Sequence, residues 1–145
     1  MNDKVAVGDL SSEARGSGAR KNGGKVSLTQ VPMHLLDGVA RVLMGGALKY
    51  AAFNWSKGMA WSVCMDCTFR HLFKFWYMRE EIDEEMGEHH IDLAICNLLF
   101  LKHYLKTYKA GDDRPPAFTG FSESLPDFNT PFDEDSYRER NGLSE

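Results

Sequence analysis

The chain has 145 residues, 17 basic and 21 acidic side chains, a formal net charge of −4 and three cysteines. That length suits one domain, and the acidic balance excludes general binding to duplex nucleic acid, which needs a basic stripe. The odd number of cysteines, all inside helical patterns, excludes a disulfide framework. The first residues carry Asp3, Asp9 and Glu13 without an apolar core, so no signal peptide is expected. The longest apolar run, Ile91 to Leu101, is too short for a bilayer. The expectation is a soluble protein of the cytoplasm, the host's if the chain is viral.

Residues 1–25 are rich in Gly, Ser, Ala and charge and show no hydrophobic period, which predicts a flexible arm. Its end, Gly18 to Lys25, combines glycines with cations in a way that suits phosphate, or simply makes a basic tail. From Pro32 the spacing of Leu35, Leu36, Val39, Val42, Leu43, Ala47 and Tyr50 predicts a first helix. A loop follows through Asn54-Trp55-Ser56-Lys57-Gly58. A second helix is expected over Trp61 to Met78, and a third from about Glu84 to Tyr108, apolar on nearly every side. Strand signals are absent, so the class is all-α: a bundle of about three main helices over residues 26–109. Its surplus of apolar surface calls for homo-oligomerisation, as a dimer or tetramer. Residues 110–145 hold spaced prolines and aromatics among acids, which predicts an extended tail packing on the domain or on a neighbouring subunit.

The chemistry gathers between Arg70 and Asp92. An acidic run, Glu80, Glu81, Asp83, Glu84 and Glu85, leads into Glu88-His89-His90-Ile91-Asp92, between two helices. Like charges held together need a cation, and a bound divalent ion can do phosphate chemistry. On the third helix Glu85, Glu88, His89 and Asp92 form one continuous polar stripe, with His90, Ala94 and Asn97 on another face. Asp92 and Asn97 are costly in so apolar a run unless compensated, whereas Glu81 and Glu84 read as a solvated helix start. Carboxylates with imidazoles suit Mg²⁺ or Mn²⁺ and tolerate Co²⁺. His71 reads either as a core histidine or as an acid/base group, and Arg70 as an ion-pair partner of Asp66 or a phosphate clamp. Cys64-x2-Cys67-x3-His71 has zinc spacing, weighed against buried apolar thiols. Asn54-Trp55 offers the amide and flat ring that a nucleobase needs.

In order along the chain stand Gly18-x-Arg20-x-Asn22-x-Gly24-Lys25, Ala40-Arg41-Val42-Leu43-x-x-Gly46-Ala47-x-Lys49-Tyr50-x-x-x-Asn54-Trp55, Arg70-His71-Leu72, Glu80-x-x-Asp83-x-Glu85-x-Gly87-x-x-His90 and Ala94-x-x-Asn97. This set, covering about Gly18 to Leu105, resembles the phage dATP/dGTP diphosphohydrolase family. Its best-known members are the MazZ enzymes, relatives of the MazG-type all-α nucleotide pyrophosphohydrolases. The resemblance implies a MazG-like fold and a metal-dependent enzyme. Such an enzyme cuts dGTP, and dATP or GTP, into the monophosphate and pyrophosphate, a step similar to the one supplying dGMP for 2-aminoadenine DNA in MazZ-bearing phages. It further implies that Arg20, Asn22 and Lys25 meet the phosphates or base, that Lys49, Tyr50, Asn54 and Trp55 lie at the nucleoside, and that Glu80, Asp83, Glu85 and His90 form the acidic metal turn. Added from the helix face are His89 and Asp92 as metal ligands. Glu85, Asp92 and His71 are the catalytic candidates, and Arg70 is a further phosphate contact. The chain departs from the MazG pattern in lacking an EExxE helix. His89-x-x-Asp92 is the nearest echo of ExxD, and one residue inserted after Trp76 would shift Glu80 to Glu81. The competing expectation is a non-catalytic helical homodimer that binds a nucleotide or protein partner.

Overall fold

The computed structural model describes residues 24–117 and 131–143, together with the backbone of two short strand segments at 9–10 and 20–21. Four α-helices are present among the described residues: α1 (Asp37–Lys49), α2 (Trp61–Trp76), α3 (His90–Thr107) and α4 (Glu134–Asn141). Among the described residues the fold is all-α apart from one two-residue antiparallel pair, β1 (Asp9–Leu10) with β2 (Arg20–Lys21). That pair lies in the arm where the composition predicts no strand. Residues up to Asp112 and those from Asp113 onward form two compact units.

In the first unit α3 is the central element, because two buried clusters draw on it at different heights. Val39 and Val42 of α1 close on Leu93 and Cys96, while Trp61 and Cys64 of α2 close on Tyr104. Tyr104, Cys64, Cys96 and His90 are the largest side chains fully removed from solvent, and each large apolar side chain so buried contributes roughly 1.5–3 kcal/mol. The buried positions of α2, Trp61, Cys64 and Thr68, recur at three and four residues, which is the helical period that predicted it. Its opposite face is aromatic and open: Phe69, Phe73, Trp76 and Tyr77 are all exposed.

Element boundaries differ from expectation at three places. Pro32 precedes a 3-10 turn at Met33–Leu35, and α1 starts only at Asp37. α3 starts at His90 and not at Glu84. Residues 81–90 instead close a tight turn, in which Ile82 bridges His89 and the Asp83 and His90 amides donate to the carbonyls of Glu88 and Glu81, each at 2.9 Å. Gly87 has φ +69 there, a left-handed backbone that an L side chain resists, and His89 is extended as the N-cap of α3. The single stripe of Glu85, Glu88, His89 and Asp92 therefore does not exist, because its first three members precede the helix. In the second unit, the tail expected to be extended carries α4, capped by the Asp133 carboxylate on the Ser136 amide and ended by Gly142 in the left-handed region. No helix among the described residues is long and apolar enough to cross a membrane.

Candidate active site

His90 opens α3 and is fully buried, with Nε2 making no hydrogen bond. An imidazole nitrogen without a partner in such a place costs on the order of 1–3 kcal/mol unless something else satisfies it. Its Nδ1 lies 2.9 Å from Nδ1 of His71, nearly three turns into α2, and 4.0 Å from Oδ1 of Asp83 in the tight turn. The Glu80 carboxylate stands 3.5 Å from Nε2 and also 3.5 Å from Lys74. Burial holds the His71 imidazole below its usual pKa, which the neighbouring Asp83 carboxylate partly offsets. It is thus neutral near pH 7, with a lone pair to offer. Asp83 is fixed by its other oxygen, Oδ2, which accepts the Met86 amide at 2.9 Å.

His71, Asp83 and His90 bring three potential ligand atoms within 4.8 Å of one another. Two imidazoles and one carboxylate fit a divalent ion, and a nitrogen-rich set favours Mn²⁺ or Co²⁺ over Mg²⁺; the His90 nitrogen nearest His71 and Asp83 is Nδ1, while the unbonded Nε2 has the Glu80 carboxylate as its neighbour. The group lies beside a cavity of about 300 Å³, lined by His71 and Asp83 together with Lys49, Tyr50, Asn54, Trp55, Glu85 and Asn97. Its apolar floor comes from Val42, Leu93, Cys96 and Phe100. The Trp55 ring is a fixed wall: it stacks on Phe100 at 5.1 Å and 11°, meets His103 edge-on, and its carbonyl accepts the buried Tyr104 hydroxyl. Asn97 donates to the Leu93 carbonyl, leaving its amide oxygen as an acceptor.

The remaining candidates are dispersed. Glu85 pairs with Lys49. His89 accepts the Ile91 amide and packs its ring on Phe75 at 5.3 Å, and Asp92 lies against Gly38 in the first turn of α1. Arg70 donates to the Cys67 sulfur at 3.0 Å and does not line the cavity. Cys64 is a buried core thiol beside Trp61 and Tyr104, while His71 turns to His90, so the zinc spacing gathers no cluster. Lys25 is exposed, Arg20 is described only as strand backbone, and Asn22 lies outside the described residues. Sequence reasoning missed Met59, Met86 and Phe53 as cavity lining, and Arg41 as the partner of Glu88 at 2.9 Å. Only the last left a trace, in the i, i+4 spacing of Asp37 and Arg41.

The family described as dATP/dGTP diphosphohydrolase, N-terminal, matches residues 15–114. The chain belongs to this family. A dATP/dGTP diphosphohydrolase of Salmonella phage PMBT28 is 31% identical over 98 residues, which cover 68% of this chain and 33% of the relative. The chain thus spans about a third of the length of the curated relative it matches. No solved structure matches. The diphosphohydrolase family match takes in the cavity, the histidine pair and the tight turn alike.

Proposed function

We propose that this chain is a metal-dependent nucleoside triphosphate pyrophosphohydrolase. It adds water across the bond between the α and β phosphates of dGTP, and of dATP or GTP, to release the monophosphate and pyrophosphate. One observation carries this reading: a His-Asp-His group that includes a fully buried histidine borders an apolar cavity with a lysine and a fixed tryptophan, inside the family's matched span. His71, Asp83 and His90 would hold a divalent ion, Mg²⁺, Mn²⁺ or Co²⁺, with Glu80 beside His90 and Glu85 in the cavity wall. When bound, such an ion polarises phosphate oxygens and makes water more acidic.

The chain's own residues supply the rest. The apolar floor and the Trp55 wall exclude water from one side and take the nucleoside. Asn54 and Asn97 offer hydrogen-bonding groups at the base or sugar, and hydrogen bonds that must be made discriminate better than apolar contact. Lys49 is positioned to neutralise charge gathering on the departing pyrophosphate. Neutral His71, or a neighbouring carboxylate, accepts the proton that water loses. In a phage, the dGMP so formed would serve 2-aminoadenine DNA synthesis, as the likeness to MazZ implies, and the reaction would run in the host cytoplasm. The protein works as a homo-oligomer, a role supported by the exposed aromatic face of α2.

Purified chain with dGTP or dATP and Mg²⁺, Mn²⁺ or Co²⁺, resolved by anion exchange, gives the test. The expected products are monophosphate and pyrophosphate. The diphosphate with inorganic phosphate would overturn the bond assignment, and intact triphosphate with every metal would favour a non-catalytic nucleotide-binding homodimer.

A further inference from the structure

Resting on that reading of the site, we infer that Lys49 and Glu85 form a clasp across the cavity which the triphosphate opens, freeing a carboxylate for the metal. Lys49 ends α1, and its ammonium donates to Glu85 in the tight turn, 36 residues away in sequence. Both residues line the same cavity as His71 and Asp83. The turn is tied to α1 separately on its other side. Arg41 donates to Glu88 and to Asp37, each at 2.9 Å, and the Met86 methyl lies 2.8 Å from where a Cβ on Gly45 would stand. Opening the clasp therefore leaves the turn anchored and changes only which group Glu85 faces.

The pair is built to exchange. Its side chains are 49% and 69% exposed, so the attraction is screened and weak. A triphosphate carries more charge than one carboxylate and presents several acceptor oxygens, so it outcompetes Glu85 for the ammonium. The released carboxylate lines the same cavity as His71 and Asp83, and a second carboxylate tightens the hold on a divalent cation. Lys49 is thus a positioning residue for the metal as well as a phosphate contact, and nucleotide and metal bind cooperatively.

Mn²⁺ titration of the full chain without nucleotide, followed by the loss of the free-ion electron paramagnetic resonance signal, separates the possibilities. Lys49→Met should tighten Mn²⁺ about threefold, in keeping with a weak exposed pair. Glu85→Gln should stay near wild type, and Lys49→Met should have no effect in the Glu85→Gln background. Equal tightening in both backgrounds would make Lys49 a merely repelling charge and overturn the clasp. Unchanged binding in Lys49→Met would also overturn it, with the metal reading intact. A wild-type chain that takes up no Mn²⁺ would overturn the metal reading itself and the clasp with it.

Discussion

His90 is fully buried, and among the described residues its Nε2 makes no hydrogen bond, with the Glu80 carboxylate 3.5 Å away. A buried imidazole nitrogen of this kind calls for a partner, whichever tautomer the ring adopts. In the sequence His90 was marked by the family's acidic-turn motif, whereas Asn97 stood out as a polar side chain in an apolar run and lines the cavity. Asp92 was conspicuous for the same reason, but its carboxylate is set against Gly38, where an added Cβ would fall 2.1 Å from Oδ2. Gly38→Ala should accordingly cost about 1–3 kcal/mol by urea denaturation, the range of an overpacked site. Two other buried groups set an alkaline limit. Burial pushes the Cys96 thiol and the Tyr104 hydroxyl up to about 12 from ordinary values of 9.0 and 10.0. Above pH 9 the unfolded chain loses protons that the folded chain keeps, so stability should be full below pH 9 and fall from there toward pH 12. Thermal melts across that range would show a steady decline, and Cys96→Ala would make it shallower while lowering stability throughout.

At the scale of elements, the tight turn of residues 81–90 decides the site. It aims Asp83 at His90, and it makes α3 begin with His90, not with the acids before it. The apolar periods of α1, α2 and α3 were legible because burial on one face imposes them. The turn was not legible, because a helical period extrapolated through Glu84–His89 is equally compatible with the residue types present. The deciding features are a left-handed Gly87 and backbone bonds that close the turn on itself. Gly87→Ala should therefore destabilise the fold by about 1 kcal/mol and weaken Mn²⁺ binding more than its stability cost alone would require, measured by denaturation and by metal titration. The cavity wall shows the same limit. Trp55 was singled out for its flat ring, whereas its fixing by Phe100 and Tyr104 depends on contacts 45 and 49 residues away.

For the whole molecule, an aromatic face of α2 remains outside the core, with Trp76 65% and Tyr77 73% exposed. Light scattering should give a mass at least twice that of one chain, and Trp76→Glu should shift it toward the monomer. A wild-type monomer at micromolar concentration would contradict oligomerisation. The proposed task of the His71-Asp83-His90 group is phosphate chemistry on a nucleotide in the adjoining cavity. Pyrophosphate release from dGTP at saturating Mn²⁺, compared between wild type and Asp83→Asn with folding checked by circular dichroism, tests it most directly. A fall of about 100-fold in a folded variant is expected, the scale on which losing a group that holds the ion reduces activity; turnover equal to wild type in folded Asp83→Asn would contradict it.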